Sequence, residues 1–253
     1  MSLATRLRAG ETLFSAWSGL PDSLTVEAVA HLSFDAVALD MQHGGHHEDS
    51  VSRGISPILR AGKHPLVRIP VGRFDMASRA LDMGAEAVVA PMINSVDDAR
   101  GFAAAMKYPP VGQRSWGPAF TLLRHGISDP KSYLRDANQA TLAFAMIETR
   151  AALAALDGIL AVDGIDGVFV GPSDFSIAWS GGKIVDHTLG DMMEAIGQIG
   201  ARAAGMGKLA AIYAADPAFG PRYRAMGYRL VAVGNESRYM ALGAETILAQ
   251  ARG

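Results

Sequence analysis

Eight short apolar runs alternate with eight amphipathic segments of helix length along this chain of 253 residues, and this pattern predicts a closed (β/α)8 barrel. The runs are continuously apolar, as is typical of parallel strands that are covered on both faces. A length of about 250 residues is also usual for such a barrel. A doubly wound sheet is the alternative fold, but it usually has fewer strands and no closing helix. We therefore expect one barrel domain over residues 1–253.

The predicted elements follow one another in a regular order. The predicted strands are 12–17, 36–40, 66–69, 87–90, 142–147, 167–170, 209–213 and 230–233. The predicted helices are 22–32, 49–61, 74–83, 95–107, 150–161, 189–206, 217–226 and 237–251. Asp22 and Ser95 can each cap a helix start, and Gly62 and Gly84 follow helix ends. Residues 108–130 form the longest irregular section, for which we expect a functional or assembly role.

Composition excludes several classes of function. The chain is 49% hydrophobic and 19% charged, which fits a folded protein with a large core. Its formal net charge of -2 gives no drive towards nucleic acid or an anionic membrane. It has no cysteine, so disulfides, thiolate metal sites and cysteine nucleophiles are excluded. No signal peptide or bilayer-spanning stretch is recognisable, and we therefore expect a cytoplasmic protein with neither nucleic-acid nor membrane partners.

Two predicted strands lead directly into a carboxylate. Glu148 follows the fifth strand, and Asp174 follows the sixth strand after the turn that begins at Gly171. The carboxyl ends of parallel strands meet at one face of a barrel, which is where active sites of this fold lie. Two acids at that face suit a hard divalent ion such as Mg²⁺ or Mn²⁺, with water and substrate as its other ligands.

Other strands also end in polar side chains. The second strand ends at Asp40, with Gln42 and His43 just behind it, and the third presents Arg68. Each residue alone could be structural, since an acid can cap a turn and an arginine can form an ion pair. The convergence of four strand ends on one face favours a catalytic site instead.

Three other chemistries fit less well. An imine mechanism needs a lysine at the same face, and no lysine ends a strand. The cluster His43, His46 and His47 could bind zinc, but its spacing and glycines favour a loop in which one histidine acts as a base. The loops after the last two strands are acidic and lack a glycine-rich cradle, which disfavours a phosphorylated substrate.

With these motifs in place, the chain resembles the HpcH/HpaI family of class II, metal-dependent aldolases, whose best-known member cleaves 4-hydroxy-2-oxoheptanedioate. The motifs are specific only when taken together. They lie at 34–35, 40–43, 67–68, 90–92, 108–114, 147–150, 164–174 and 231–234.

The resemblance implies a role for each candidate residue. Glu148 and Asp174 would bind a divalent ion (Mg²⁺, Mn²⁺ or Co²⁺), and no organic cofactor is expected. Arg68 would bind the keto oxygen and stabilise an enolate. His43 would be the base with Asp82 as its charged partner, and Asp40 would support them. The residues implied to bind substrate are Trp17, Gln42, Gly171, Pro172, Ser173 and Ile212.

The implied reaction is reversible cleavage of a 4-hydroxy-2-oxo acid, through a metal-bound enolate, to an aldehyde and pyruvate or a substituted pyruvate such as hydroxypyruvate. The resemblance also implies a homohexamer, a trimer of dimers, with the C-terminal helix swapped between subunits. Two alternatives remain: another enolate lyase, such as a malyl- or citramalyl-CoA lyase or a 2-oxo acid decarboxylase, and a non-enzymatic metabolite-binding protein. The family relatives carry Glu at the position of Gln42, and residues 44–47 also differ, so the acceptor aldehyde is not implied.

Overall fold

The computed structural model describes all 253 residues and confirms the predicted barrel: eight parallel strands form one closed sheet in chain order, with β8 beside β1. The strands are β1 Leu13–Ser18, β2 Ala36–Asp40, β3 His64–Arg68, β4 Ala87–Ala90, β5 Leu142–Ile147, β6 Gly167–Val170, β7 Leu209–Ala214 and β8 Leu230–Asn235. Each predicted strand corresponds to an observed one, with shifts of one or two residues at some ends.

Thirteen α-helices and one short 3-10 helix surround or close the barrel. The α-helices are α1 Leu3–Arg8, α2 Ser23–Ala30, α3 Glu48–Arg60, α4 Asp75–Asp82, α5 Val96–Met106, α6 Ala119–Arg124, α7 Pro130–Ala140, α8 Arg150–Ala154, α9 Leu156–Leu160, α10 Pro172–Trp179, α11 Gly190–Gly205, α12 Gly220–Ala225 and α13 Glu236–Arg252. The 3-10 helix, Pro217–Phe219, precedes α12.

Four of these helices were not predicted: α1, α6, α7 and α10. The longest section expected to be irregular therefore contains α6 and ends at the start of α7. The start of α7 could have been predicted from Asp129 and Pro130. The Asp129 side chain accepts hydrogen bonds from the N–H groups of Lys131 and Ser132, and Pro130 is the first helical residue. The single helix predicted over 150–161 is divided into α8 and α9 at Ala155.

Successive side chains of a strand point to opposite faces of the sheet, and this alternation divides the core into two layers. On β5, Phe144 and Met146 belong to the cluster inside the barrel, whereas Ala143 and Ala145 belong to the larger cluster under the helices. The same alternation assigns each strand-end residue to the inside or the outside. It therefore decides which residues can reach a pocket at the barrel mouth.

Helix α1 closes the opposite end of the barrel. Leu3 and Leu7 are fully buried in the inner cluster. The Leu3 N–H donates a hydrogen bond of 2.6 Å to Glu86, whose carboxylate lies 3.1 Å from the His64 ring. The apolar interior is thus sealed at its amino-terminal end.

The last helix, α13, has 17 residues, and Glu236 is the only one of them that is buried. Its apolar side chains are exposed, among them Leu242 (59% exposed) and Ile247 (66% exposed). None of the helices combines the length and the hydrophobicity that a membrane span requires.

Candidate active site

A cavity of about 280 Å³ opens at the carboxyl ends of the strands. Nine of the predicted site residues line it: Trp17, Asp40, His43, Arg68, Glu148, Gly171, Pro172, Ser173 and Asp174. Most of the residues predicted from the sequence to form the site are therefore brought together around one cavity.

The strongest interaction in the pocket joins Asp40 to Arg68. The two residues are register partners on β2 and β3. Arg68 donates through Nε to Oδ1 at 2.9 Å and through a terminal nitrogen to Oδ2 at 2.7 Å. Such a two-pronged pair fixes the guanidinium plane as well as its position. The Arg68 guanidinium also lies 4.9 Å from the centre of the Trp17 ring, within cation–π range.

Asp40 organises more than the arginine. Its Oδ2 accepts a hydrogen bond of 3.2 Å from the Trp17 indole, and its Oδ1 accepts one of 3.0 Å from the Gln42 N–H. Burial opposes ionisation of Asp40, but Arg68 and these N–H donors outweigh it and hold the pKa of the carboxyl below its usual value. Asp40 is therefore a charged anchor for Arg68, Trp17 and the loop after β2.

Glu148 and Asp174 lie on the opposite wall. Glu148 is 2% exposed, and the Met92 N–H donates to its Oε2 at 3.0 Å. Met92 has a φ of 55°, which is uncommon for a residue other than glycine and aims its N–H at the carboxylate. Gly171 lies so close that a Cβ there would be 2.4 Å from Glu148 Oε1. Only glycine fits at this point of the wall.

The charge state of Glu148 indicates what this wall can bind. Burial, together with the negative charge of Asp174, raises the pKa of Glu148 to about 7, although the Met92 N–H acts against this. A cation between the two acids would remove that repulsion, and carboxylate oxygens are the ligands that hard divalent ions take. No group of three or more His, Cys, Asp or Glu side chains is arranged to hold a metal. A divalent ion here would therefore need further ligands from substrate or water.

The first turn of α10 forms the floor beside these acids. Gly171 precedes the helix and Pro172 begins it, so Ser173 and Asp174 lie where helical N–H groups have no partner within the helix. Such a helix start favours a negatively charged ligand. The Ser173 hydroxyl lies 2.9 Å from the ring of His187, a residue of the segment that follows α10.

The three clustered histidines have different surroundings. His43 is exposed at the pocket rim, His47 is exposed outside it, and His46 is buried. They do not converge on one point, which leaves no basis for a zinc site among them. Gln42 contributes its backbone to Asp40, but its side chain does not line the pocket.

Two predicted residues lie away from the pocket. The Asp82 carboxylate pairs with Arg114 at 2.7 Å in a separate groove beside Trp116, and it has no contact with His43. Burial raises the pKa of Asp82, and Arg114 acts against this. Ile212 is fully buried in the outer layer under the helices, because even-numbered residues of β7 face outwards. A role for Ile212 in contacting substrate from β7 is therefore wrong.

The pocket also contains residues that the sequence did not indicate. Tyr213, Phe169 and Met146 face inwards on β7, β6 and β5, and Gly19 and Asn235 follow β1 and end β8. The Trp17 ring contacts Phe169 and Tyr213 at centroid distances of 5.6 and 5.5 Å. Burial raises the pKa of Tyr213, so its phenol stays protonated. The apolar run 209–214 has no polar alternation that marks which side of β7 faces inwards.

The fold and pocket together define the class of protein: a (β/α)8 barrel with acids, a histidine and an arginine around one cavity at the carboxyl ends of the strands. The model of the HpcH/HpaI aldolase/citrate lyase family matches residues 14–241. This chain belongs to that family, and it is a lyase of the aldolase type. Aldolases of the family are in general dependent on a divalent metal.

Individual relatives match over nearly their whole length. The chain is 36% identical over 246 residues to a hydroxypyruvate/pyruvate aldolase of Roseovarius nubinhibens, with 97% of this chain and 95% of the relative covered. It is also 36% identical over 246 residues to a 4-hydroxy-2-oxo-heptane-1,7-dioate aldolase of Salmonella arizonae, with 96% and 92% covered. The crystal structure of an HpcH/HpaI family protein from Burkholderia cenocepacia superimposes with a TM-score of 0.87 at 28% identity, covering 99% of both chains.

Glu148→Gln should stabilise the metal-free protein while removing its response to divalent ions. The ordinary pKa of Glu is 4.5 and the folded value is about 7, so ionisation costs stability as the pH rises between these values. Above pH 7 this penalty is complete, at about 3 kcal/mol. Glutamine keeps the shape of the side chain and an oxygen that accepts from the Met92 N–H, but it has no negative charge. In thermal melts with EDTA at pH 8, we expect the variant to melt roughly 5–10 °C above the wild type.

Two comparisons complete this test. Below about pH 4 the two melting temperatures should converge, because Glu148 is then protonated in both the folded and the unfolded wild type. Added Mg²⁺ or Mn²⁺ should raise the melting temperature of the wild type but not of the variant. Equal melting temperatures at pH 8 would show that Glu148 carries no such penalty.

Proposed function

We propose that this protein reversibly cleaves 4-hydroxy-2-oxo acids into an aldehyde and pyruvate, or a substituted pyruvate such as hydroxypyruvate. The observation that carries the proposal is the division of one cavity into two walls. A pair of acids and a helix start suit the 2-oxo acid end of a substrate, and Arg68 faces them from the opposite arc of the barrel. The names of the two curated relatives, which both act as aldolases, support the same substrate class.

Glu148 and Asp174 would hold the divalent ion, for which Mg²⁺, Mn²⁺ and Co²⁺ are the candidates. When bound, such an ion supplies Lewis-acid charge that draws electrons towards the 2-oxo group. The substrate carboxylate would lie at the start of α10, against the N–H groups of Ser173 and Asp174. No organic cofactor is required.

Arg68 would stabilise the negative charge that develops on the 2-oxo oxygen as the bond between C3 and C4 breaks. Because Asp40 already holds the guanidinium in place, little reorganisation is needed when that charge forms. His43 would accept the proton of the 4-hydroxyl group, so that the departing carbon becomes an aldehyde. The electron pair of the broken bond remains in the enolate, which then takes up a proton at C3.

Proton exchange at C3 of pyruvate tests the proposal without knowledge of the natural aldehyde. In D₂O with Mg²⁺ or Co²⁺, we expect the methyl signal of pyruvate to decay, to stop decaying on addition of EDTA, and to resume with excess metal. Aldol formation from hydroxypyruvate and a small aldehyde should show the same metal requirement. The absence of both reactions with Mg²⁺, Mn²⁺ and Co²⁺ would overturn the proposal.

Arg68→Lys should lower turnover by about 10²–10³-fold, the usual effect of losing a donor to a developing oxyanion. Lysine keeps the positive charge but cannot form the two-pronged contact with Asp40. Steady-state kinetics at saturating metal would measure the change. Arg73→Lys is the matched control, because Arg73 forms an exposed pair with Asp75 away from the pocket. Unchanged turnover in a folded Arg68→Lys variant would remove Arg68 from the mechanism.

We also propose that α13 packs against another subunit in a homohexamer, a trimer of dimers. The support is the exposed apolar surface of α13, which includes Met240, Leu242, Ile247 and Leu248 and has no cover within its own chain. In light scattering, Ile247→Glu with Leu242→Glu should yield a smaller species than the wild type, and Gln250→Glu on the same helix should not. A monomeric wild-type protein would contradict the proposal.

A further inference from the structure

A chain of four buried polar side chains lies beside the pocket and has no part in the mechanism above. We call it the His46 chain; it consists of Ser50, His46, Ser18 and Glu236. His46 Nδ1 lies 3.1 Å from the Ser50 hydroxyl, and His46 Nε2 lies 3.0 Å from the Ser18 hydroxyl. The Ser18 hydroxyl in turn donates to Glu236 Oε1. All four side chains are 5% exposed or less.

The contacts fix the direction of the hydrogen bonds from His46 to Glu236. Burial lowers the pKa of His46, although Glu236 and Asp40 act against this, so the ring is neutral with one donor and one acceptor. Glu236 can only accept, and it therefore takes the single proton of Ser18. His46 Nε2–H must then donate to Ser18, which leaves Nδ1 as an acceptor facing the Ser50 hydroxyl. That hydroxyl also lies 3.0 Å from the His47 carbonyl, to which it can donate instead. The Nε2–H of His46 and the hydroxyl of Ser18 therefore both point towards the carboxylate of Glu236.

The His46 chain fixes two loops of the pocket rim. Glu236 Oε2 accepts a hydrogen bond of 2.9 Å from the Gly19 N–H, in the loop after β1. The Gly19 carbonyl accepts one of 2.8 Å from the Gly45 N–H, in the loop after β2. A Cβ on Gly44 would lie 2.9 Å from the Gly19 Cα, so the two loops touch through their backbones. Gly19, His43 and Gly44 line the cavity. The His46 chain therefore fixes one side of the cavity rim.

The barrel order places this side opposite the metal-binding acids. The His46 chain spans the neighbouring ends of β8, β1 and β2, whereas Glu148 and Asp174 follow β5 and β6 across the mouth. If the 2-oxo acid end of the substrate occupies the β5–β6 side, the aldehyde end extends towards the loop of His43 and Gly44. That loop therefore shapes the aldehyde half of the pocket.

We propose that His46, with Ser18 and Glu236, positions the rim loop of His43 and Gly44 for the aldehyde half of the reaction. None of the three touches the reacting atoms in this assignment, so they are positioning residues. The proposal rests on the aldol reaction proposed above. It predicts that a substitution in the His46 chain weakens the binding and reaction of the aldehyde and leaves the binding of pyruvate and metal unchanged.

His46→Leu removes both ring contacts, while Ser18 keeps its bond to Glu236 and Ser50 keeps its bonds to the His47 backbone. We expect the KM for the aldehyde to rise and kcat/KM for aldol formation to fall by about 10²-fold, the cost of a misplaced catalytic group. The inhibition constant of pyruvate in the cleavage direction and the affinity for Mn²⁺ should stay within about twofold of wild type. His46→Gln retains a donor and an acceptor, and it should restore most of the lost efficiency.

The neighbouring residue offers a matched control. His47 lies in the same loop with an exposed ring, so His47→Leu should leave all of these constants unchanged. Hydrogen exchange over residues 41–50 gives a readout that does not need activity: it should speed up in His46→Leu and not in His47→Leu. Glu236→Gln provides a second variant, because an amide has a single oxygen and cannot accept from both the Ser18 hydroxyl and the Gly19 N–H as the two carboxylate oxygens do.

The outcomes separate this inference from the proposed function. Equal losses of pyruvate, metal and aldehyde binding in His46→Leu, with faster exchange throughout the barrel, would mean a general structural role and overturn the inference. Unchanged aldehyde kinetics and unchanged exchange would overturn it as well. A wild-type protein without aldol activity would contradict the proposed function, and the exchange data would still decide whether His46 fixes the loop.

Discussion

The ion pair of Asp40 and Arg68 is the interaction on which the reacting side of the pocket depends. It is available because the two residues are register partners and both fall on the inward-facing positions of their strands. The same carboxylate also accepts from the Trp17 indole and from the backbone of the next loop. Breaking a buried pair by removing one partner costs about 3–5 kcal/mol. The arginine is thus fixed before a substrate enters, and its proposed role in stabilising an enolate needs that rigidity.

The opposite wall differs, because no cationic side chain of the protein pairs with its two acids. Glu148 has one backbone donor and a second acid nearby, and burial holds its pKa near 7. Met92 adopts a left-handed backbone conformation that costs roughly 1–2 kcal/mol outside glycine, and its N–H points at this carboxylate. Two such acids destabilise the folded protein when no cation is bound between them. The same burial that makes them unfavourable strengthens their attraction for a divalent cation.

Sequence reasoning succeeded where a polar residue follows a continuous apolar run, as with Asp40, Arg68 and Glu148. It failed where the decision depended on which face of a strand is inside, since a strand buried on both faces has no polar alternation to reveal it. Ile212 and Tyr213 are adjacent, yet only Tyr213 reaches the pocket. Asp82 could not be located because its partner, Arg114, lies in the section before α6, where no regular element was predicted. Contacts of that kind are set by tertiary packing.

The two sides of the pocket thus differ in how they are held. The acids and Arg68 lie on strand ends and one helix start, where small changes in a loop hardly move them. The side proposed for the aldehyde depends on loops that touch through Gly19 and Gly44 and are tied by hydrogen bonds ending at the Glu236 carboxylate. Substitutions in those loops can therefore change the proposed acceptor side without altering the charges that act on the 2-oxo acid. Because Glu236 is also the first residue of α13, the helix proposed for subunit contact begins beside the rim of the pocket.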